Sequence, residues 1–402
     1  MKQTEIGLIP DDWEVKEIKD FADVTTGDKN TQDAEENGKY PFYVRSPIVE
    51  RINKFSYDTE GVITAGDGVG TGKVFHYAKG KFGLHQRAYL IYNFKNTDPK
   101  YFYYNFSKNF YERVHSMTAK SSVDSVRREM ITKMQIPIPP TLAEQQRIAK
   151  ALSDVDALIS TTEKLIKKKK NIKQGAMQNL LTGKKRLPGF GNKQTDLFVP
   201  NGTHTKEVKD VSPEQIRLSA KMKQTELGEI PEDWEVKSLG EMLKIGHGKD
   251  YKNLKSGNVP VYGTGGYMTS VNDFLYEGET VCIGRKGTID KPQYHSGKIW
   301  TVDTLFYTYD FKSLNPKYLF YKFCLIDWLS MNEASGVPSL TAKNIEDIQI
   351  TIPTEEEQTA IANVLSSMDK EIETLNTKLE KYRNLKTAMM QQLLTGKIRL
   401  VK

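Results

Sequence analysis

Cysteine is nearly absent from this chain of 402 residues: Cys282 and Cys324 are the only two, and they form no CxxC pair. That speaks against a disulfide scaffold and a thiolate zinc site, and it fits a reducing compartment. His76, His85, His115, His204, His247 and His295 are scattered, with no HxxxH or HxH spacing. No metal site is expected. No apolar run approaches the roughly 18 residues of a membrane-spanning helix. The opening MKQTEIG carries no apolar leader. A cytoplasmic protein with no membrane partner is the expectation. Charge is not extreme either: the net value of +7 permits nucleic-acid binding without demanding it. No Ser/His/Asp set, Cys/His set or nuclease-like carboxylate cluster has the right spacing, so no catalytic residue is expected. With 38% hydrophobic residues the chain can bury real cores, and its length suits two domains plus connectors.

What the chain does have is a second beginning. Residues 1–16 read MKQTEIGLIPDDWEVK and residues 222–237 read MKQTELGEIPEDWEVK, differing only at Ile6/Leu227, Leu8/Glu229 and Asp11/Glu232. Further parallels follow in order. Tyr40-Pro41-Phe42-Tyr43 matches Val259-Pro260-Val261-Tyr262, and Asp98-Pro99-Lys100-Tyr101 matches Asn315-Pro316-Lys317-Tyr318. Gln135-Ile136-Pro137-Ile138-Pro139 matches Gln349-Ile350-Thr351-Ile352-Pro353. Glu144-Gln145 and Glu357-Gln358 come next, and both copies finish on Leu-Leu-Thr-Gly-Lys, at 180–184 and 393–397. The ends of the copies agree and their middles do not. Such a chain is one scaffold presenting two different surfaces, and duplex DNA is the commonest target with matching two-fold symmetry.

Each copy has two parts. Residues 1–140 and 222–352 hold short runs rich in Gly, Tyr, Phe, Thr and Val, such as Ala88-Tyr89-Leu90-Ile91-Tyr92, which predict strands and turns. Helical spacing appears between them over Lys100–His115 and Lys317–Met331, so the module is mixed with strands dominant. Residues 141–185 and 353–402 are helical. Ile361, Leu365, Met368, Ile372, Leu375 and Leu379 step by four and three, as do Ile148, Leu152, Val155, Ile159 and, further on, Ile166. That is a coiled-coil seam. Thr141 and Thr354 suit helix caps, and Gly183 and Gly396 suit helix stops. Each helix then has about 40 residues, or about 60 Å. A lone amphipathic helix of that length needs a partner, and the other copy's helix is the obvious one. The interval 186–221 is polar, contains Gly and Pro, and predicts a linker. The expected fold is α+β: two mixed α/β recognition domains, each followed by a long helix, related by a pseudo-two-fold axis.

The repeated frame of TEIGxIPxDWEV, a variable aromatic-rich domain, an EQxxIA helix start and an LLTGK exit resembles the specificity subunit of type I restriction-modification systems. The resemblance spans nearly the whole chain. It implies two target-recognition domains, each reading half of an interrupted double-stranded DNA sequence. It implies that the two helices pack antiparallel as a coiled coil, set the spacer and dock two methyltransferase (M) subunits. Restriction motor-nuclease (R) subunits complete the full complex. The subunit itself is then non-catalytic, and S-adenosylmethionine and ATP belong on the partner subunits only.

Two motifs invite other readings. Gly66-Asp67-Gly68-Val69-Gly70-Thr71-Gly72-Lys73 looks like a phosphate loop but lacks the GxxxxGK[ST] spacing. A tight strand-turn-strand with a basic tip is the better reading. Asn315-Pro316-Lys317-Tyr318 lacks the second proline of a methyltransferase motif, so Pro99 and Pro316 are read as helix-start prolines. Basic and amide residues on Gly-rich or polar loops are the candidates for DNA contact. In the first copy these are Lys29, Asn30, Arg45, Lys73, Arg87, Lys120, Ser121, Arg127 and Arg128. In the second they are Lys249, Tyr251, Lys252, Arg285, Lys286, Ser335 and Lys343. For each, the plain alternative is a solvated surface charge. Rival functions are a coiled-coil scaffold that binds no DNA and a self-contained methyltransferase or nuclease, for which the motifs are missing.

Overall fold

The computed structural model describes residues 1–117, 125–191 and 221–400, with the backbone of 217–218. It divides into two compact units, Met1–Glu163 with Thr377–Lys402, and Lys164–Asn376.

The first unit opens on a hairpin, β1 (Lys2–Thr4) and β2 (Gly7–Ile9), then β3 (Glu14–Glu17) and the short α1 (Ile18–Phe21). Strands β4 (Asp23–Thr26), β5 (Tyr40–Tyr43), β6 (Glu50–Ile52), β7 (Tyr57–Ala65), β8 (Phe75–Leu84) and β9 (Ala88–Tyr92) form a six-stranded sheet in the order β4-β9-β7-β8-β5-β6. All its pairings are antiparallel except β5 with β8. Next come α2 (Pro99–Ser116), α3 (Arg128–Thr132) and β10 (Gln135–Ile138), which pairs with β3. The 39-residue helix α4 (Leu142–Leu180) begins in this unit and ends in the other.

The second unit repeats the plan. After β11 (Lys185–Arg186) and β12 (Arg217–Leu218) come the hairpin β13 (Met222–Thr225) and β14 (Gly228–Pro231), β15 (Glu235–Ser238) and α5 (Leu239–Met242). The sheet strands are β16 (Lys244–His247), β17 (Ser256–Gly263), β18 (Gly266–Val271), β19 (Tyr276–Gly284), β20 (Gln293–Thr301) and β21 (Leu305–Tyr309). Their order, β16-β21-β19-β20-β17-β18, matches the first sheet. Then follow α6 (Pro316–Phe323), α7 (Ala342–Glu346), β22 (Gln349–Ile352) and α8 (Glu355–Leu393), which runs back into the first unit. The second helical stretch is shorter than its spacing suggests. It stops at Phe323, whose carbonyl accepts Trp328 Nε1 at 2.8 Å, and resumes only as a 3-10 turn over Trp328–Met331.

The central strands are apolar on both faces because both faces are covered. Val62 and Ile91 pack with α2, while Ile63 and Leu90 serve the opposite face. In the second unit Val281 and Ile283 face α6, and Cys282 lies on the other face, where burial pushes its thiol up to about 12. Cys282 is therefore a small apolar filler.

The frame residues explain themselves at the helix starts and stops. Thr141 Oγ1 accepts the amide of Glu144 at 3.2 Å and Thr354 Oγ1 that of Glu357 at 3.4 Å, so both threonines cap as expected. Pro99 and Pro316 occupy first turns capped by Asp98 and Asn315. Gln145 accepts the amide of Asp98 and donates to the Pro139 carbonyl, and Gln358 does the same with Asn315 and Pro353. Each glutamine staples its long helix to the loop before α2 or α6. Gly183 and Gly396 end the helices at φ +71° and +67°. A Cβ there would lie 2.5 Å from Pro231 or 2.4 Å from Pro10, so only glycine allows the close approach.

That approach brings the end of one copy's helix onto the opening of the other. In the first unit Arg399 donates to Asp12 at 2.9 and 3.0 Å and to Glu144, which is 1% exposed. In the second, Arg186 donates to Asp233 at 2.7 and 2.9 Å and to the fully buried Glu357, which also accepts Trp234 Nε1 at 3.1 Å. Arg186 falls in the interval 186–221 read as linker; it is buried and structural, and that reading is corrected at this residue. Residues 192–216 lie outside the described residues.

Within each unit the segments of α4 and α8 run antiparallel. Lys386 pairs with Asp156 and Arg383 with Glu163 in the first, and Lys173 with Asp369 and Lys169 with Glu371 in the second. Tyr104 and Tyr321 donate to the same two aspartates, Asp156 and Asp369. Val155, Ile166, Ile372 and Leu379 are buried along these helices, and Ile159, Met368 and Leu375 are half-buried. Ile148 and Leu152 join the first unit's core with Leu393 and Leu394, and Ile361 and Leu365 join the second's with Leu180 and Leu181. The seam therefore merges at its ends into the domain cores. Among the described residues no helix is long and apolar enough to cross a membrane.

Arg186→Ala is expected to destabilise the second unit by about 3–5 kcal/mol, because it strands a buried carboxylate. Arg186→Lys should recover little, since an ammonium cannot bridge both carboxylates bidentately. Thermal unfolding of both variants checks this. A pH dependence also follows from Lys322, whose Nζ donates to the Leu181 carbonyl at 2.8 Å and to Thr351 Oγ1 at 2.7 Å. Burial pulls its ammonium down from 10.5 to about 7. The folded state thus penalises the charge, fully below pH 7, and is relieved as pH rises toward 10.5. The stability of wild type relative to Lys322→Met should rise between pH 6 and 9, and a flat difference in Tm across that range would contradict it.

Candidate nucleic-acid interface

The first unit gathers its basic candidates around the Gly-rich loop between β7 and β8. Val69 at its tip is 98% exposed. Gly70 lies directly on the Arg45 backbone: a Cβ there would be 2.4 Å from the Arg45 carbonyl. Gly68 and Gly72 take φ of +76° and +68°. The glycines thus let a tight turn sit against the end of β5, which agrees with the strand-turn-strand reading.

At the base of the loop Asp67 accepts from two guanidinium groups. Arg45 Nη1 donates to Oδ1, and Arg87 Nη1 donates to Oδ2 at 3.1 Å. Beneath them His85 is buried, and its Nδ1 accepts the Arg87 amide at 3.0 Å. Burial first, and then the Arg45 charge, hold the imidazole below its usual range. A bridge joins His85 to Lys29, and Gln86 reaches both the Lys29 carbonyl at 2.8 Å and Asn30 Oδ1 at 2.7 Å. So Lys29, Asn30, Arg45 and Arg87 come together. The loop is strapped from outside by a bridge between Asp67 and Ser125 and by the Val126 amide on the Gly66 carbonyl at 2.7 Å. Arg127, next in sequence, is exposed. Lys73 is also exposed, with Nζ 5.4 Å from the Tyr111 ring centroid. Arg128 donates its guanidinium to the Val24 carbonyl and is committed to the fold. Lys120 and Ser121 lie outside the described residues.

The second unit builds the same place with other side chains. The Leu340 amide binds the Arg285 carbonyl at 2.9 Å, and Lys286 bridges Ser339, just as Gly66 and Asp67 meet Val126 and Ser125. Lys286 therefore stands where Asp67 stands. The Arg285 guanidinium donates to the Asp303 carbonyl at 3.4 Å. Lys249 is anchored by its backbone, donating to the Thr301 carbonyl and accepting from Trp300 Nε1 at 2.8 Å each, which leaves its side chain exposed. Tyr251 is half-buried against Val261, Trp300 and Val302. Lys252 is beside Asp250 at 3.6 Å, and Lys343 pairs with Asp347 at 2.7 Å on α7. Ser335 is exposed on a loop that Asn332 ties at Ala334 and Ser339.

Sequence reasoning missed Asp67, His85 and Gln86. An acid set among the glycines of the β7–β8 loop was the available signal for Asp67. Among the described residues no group of His, Cys, Asp and Glu could hold a metal ion.

Comparison with known proteins gives the frame a context. The family model of the type I restriction modification DNA specificity domain matches residues 10–174 and again residues 231–381. The type I restriction enzyme MjaVIII specificity subunit of Methanocaldococcus jannaschii is 27% identical over 445 residues, covering 98% of this chain and 94% of that protein. The EcoDI specificity subunit of Escherichia coli is 22% identical over 428 residues, covering 98% and 90%. The crystal structure of the S subunit of the type I system from M. genitalium superposes with a TM-score of 0.66 at 16% identity over 98% of both chains, a likeness of fold.

Proposed function

The chain belongs to the family of type I restriction-modification specificity subunits, the non-catalytic component that recognises the DNA target, and from that premise we propose that it reads a bipartite, asymmetric duplex sequence. One half is read by each recognition domain, and α4 and α8 set the unread gap. The observation that carries this reading is that one frame occurs twice while equivalent loop positions differ, Asp67 against Lys286. Two equal readers would suit a palindrome; two unlike readers on one frame suit an asymmetric target. The continuity of both long helices between the two units supports their role as spacer.

The repeated frame itself suits two copies of one partner. Ile6 on the first hairpin and Leu227 on the second are apolar and exposed at matching places. We assign these faces to two methyltransferase subunits, with motor-nuclease subunits joining the full complex. S-adenosylmethionine and ATP act on those partners, and the DNA contacts come from the loop residues of each recognition domain. Methylome sequencing of cells expressing this chain with its methyltransferase tests the whole reading: a two-part motif with a fixed gap is expected, and the absence of any such motif overturns it.

Two finer outcomes are expected. Lys73→Ala, Lys249→Ala and Lys286→Ala should each lower the salt slope of duplex binding by about 0.9, the value of one phosphate contact. Lys343→Ala, already paired on its helix, should leave it unchanged; titrations of the assembled complex at several salt concentrations measure this. Inserting four residues into α4, about 6 Å of helix, should lengthen the gap by one or two base pairs at about 3.4 Å each. An unchanged methylated motif would refute the spacer role.

A further inference from the structure

We propose that Asp67 is a positioning residue that presents Arg45 and Arg87 to guanine in the half-target read by the first domain. This rests on the reading of these loops as the DNA-contacting surface. The geometry is specific. Each carboxylate oxygen takes one guanidinium, and each guanidinium spends only Nη1 on it. Among the described residues the Nη2 and Nε groups of both arginines have no other partner. A guanidinium carries five N–H donors in a rigid fork, so using Nη1 leaves a two-donor edge. That edge matches the O6 and N7 acceptors of guanine in the major groove.

Asp67 has the fixity that the role requires. Its neighbours Gly66 and Thr71 are held by backbone bonds to Arg87, Val126 and Gly68, and Ser125 bridges Asp67 itself. An arginine already held by a fixed partner gives up less rotamer entropy on binding than an unheld one. The pairing does not serve stability well. Arg87 is 62% exposed and Arg45 is 37% exposed, and ion pairs at such exposure contribute little. Two arginines on one carboxylate also leave a net positive charge beside the loop, which favours a polyanionic partner. The second domain lacks the device, because Lys286 occupies the position of Asp67. The guanine preference therefore belongs to one half of the target.

The test uses the chain co-expressed with its methyltransferase subunits, with the methylated motif as readout. Wild type should give a two-part motif with guanine on one strand or the other of one half. Arg87→Ala and Asp67→Ala should relax the same guanine position, by roughly tenfold or more in preference, while the other half stays intact. Asp67→Asn, which keeps one acceptor, should relax it less. A loss of folding would lower methylation at every position alike and cannot produce a one-position relaxation. Should Asp67→Ala fail to accumulate, Arg87→Ala and Asp67→Asn decide the matter, since both leave the glycine turn unaltered. An unchanged motif in all variants, or relaxation of both halves together, overturns the proposal. A wild-type motif that is not two-part overturns instead the functional reading on which it rests.

Discussion

Everything in this molecule depends on two buried carboxylates. Glu144 and Glu357 sit in the first turn of the long helices at 1% and 0% exposure. An ionised carboxylate taken out of water costs several kcal/mol unless it is paired and hydrogen-bonded. Here each receives a bidentate arginine, Arg399 or Arg186, whose other edge is held by Asp12 or Asp233. The partner comes from far away in the chain: Arg399 is 387 residues from Asp12 and 255 from Glu144. Neither copy supplies both the carboxylate and the arginine of its own clamp. A helix start in one copy is therefore stable only when the other copy's helix end arrives. The two glycine stops enforce the same meeting sterically, because Gly183 and Gly396 press on Pro231 and Pro10.

The clamps are alike in charge and unlike in detail. Glu357 is completed by Trp234 Nε1, whereas among the described residues Trp13 Nε1 has no hydrogen-bond partner, and its ring lies under the Arg399 guanidinium, 5.7 Å from the ring centroid. A cation over an indole face is attracted by the ring's quadrupole. Duplicated frames can thus drift in their private contacts while each keeps the shared ion cluster.

Much of the fold was legible because its signals are local. Helix starts at Thr141 and Thr354, stops at Gly183 and Gly396, and the four-three stepping of Ile361 to Leu379 depend on residues a turn apart, and the structure follows them. The clamp was not legible. A polar contact between residues hundreds of positions apart leaves no period in the sequence, and Arg186 sits in a polar stretch whose composition resembles a linker. The candidate interface was half legible for the same reason. Arginines and lysines on glycine-rich loops advertise themselves by type, which brought Arg45 and Arg87 to notice singly. Their meeting at Asp67 required the sheet order, which places the β5 end, the β7–β8 loop and the β8–β9 turn side by side.

That division between local and long-range information is also a division of labour. The frame has to satisfy buried charges, a helix seam and two glycine contacts at once, so a change there is felt in the fold. The loop between β7 and β8 has to satisfy backbone contacts to Arg45, to Arg87 and to the following segment. Those bonds are made by peptide groups: Val126 to Gly66 in one domain and Leu340 to Arg285 in the other. Because the peptide holds the loop, the side chain at the next position is free to be an aspartate in one domain and a lysine in the other. A scaffold that fixes position through the backbone and leaves the side chain uncommitted can exchange what it reads without altering how it folds. In the first domain that uncommitted position holds an acid, and its field gathers two arginines. In the second it holds a cation, which cannot. The same peptide geometry thus yields two different donor arrays, and the asymmetry of the proposed target begins at this one pair of residues.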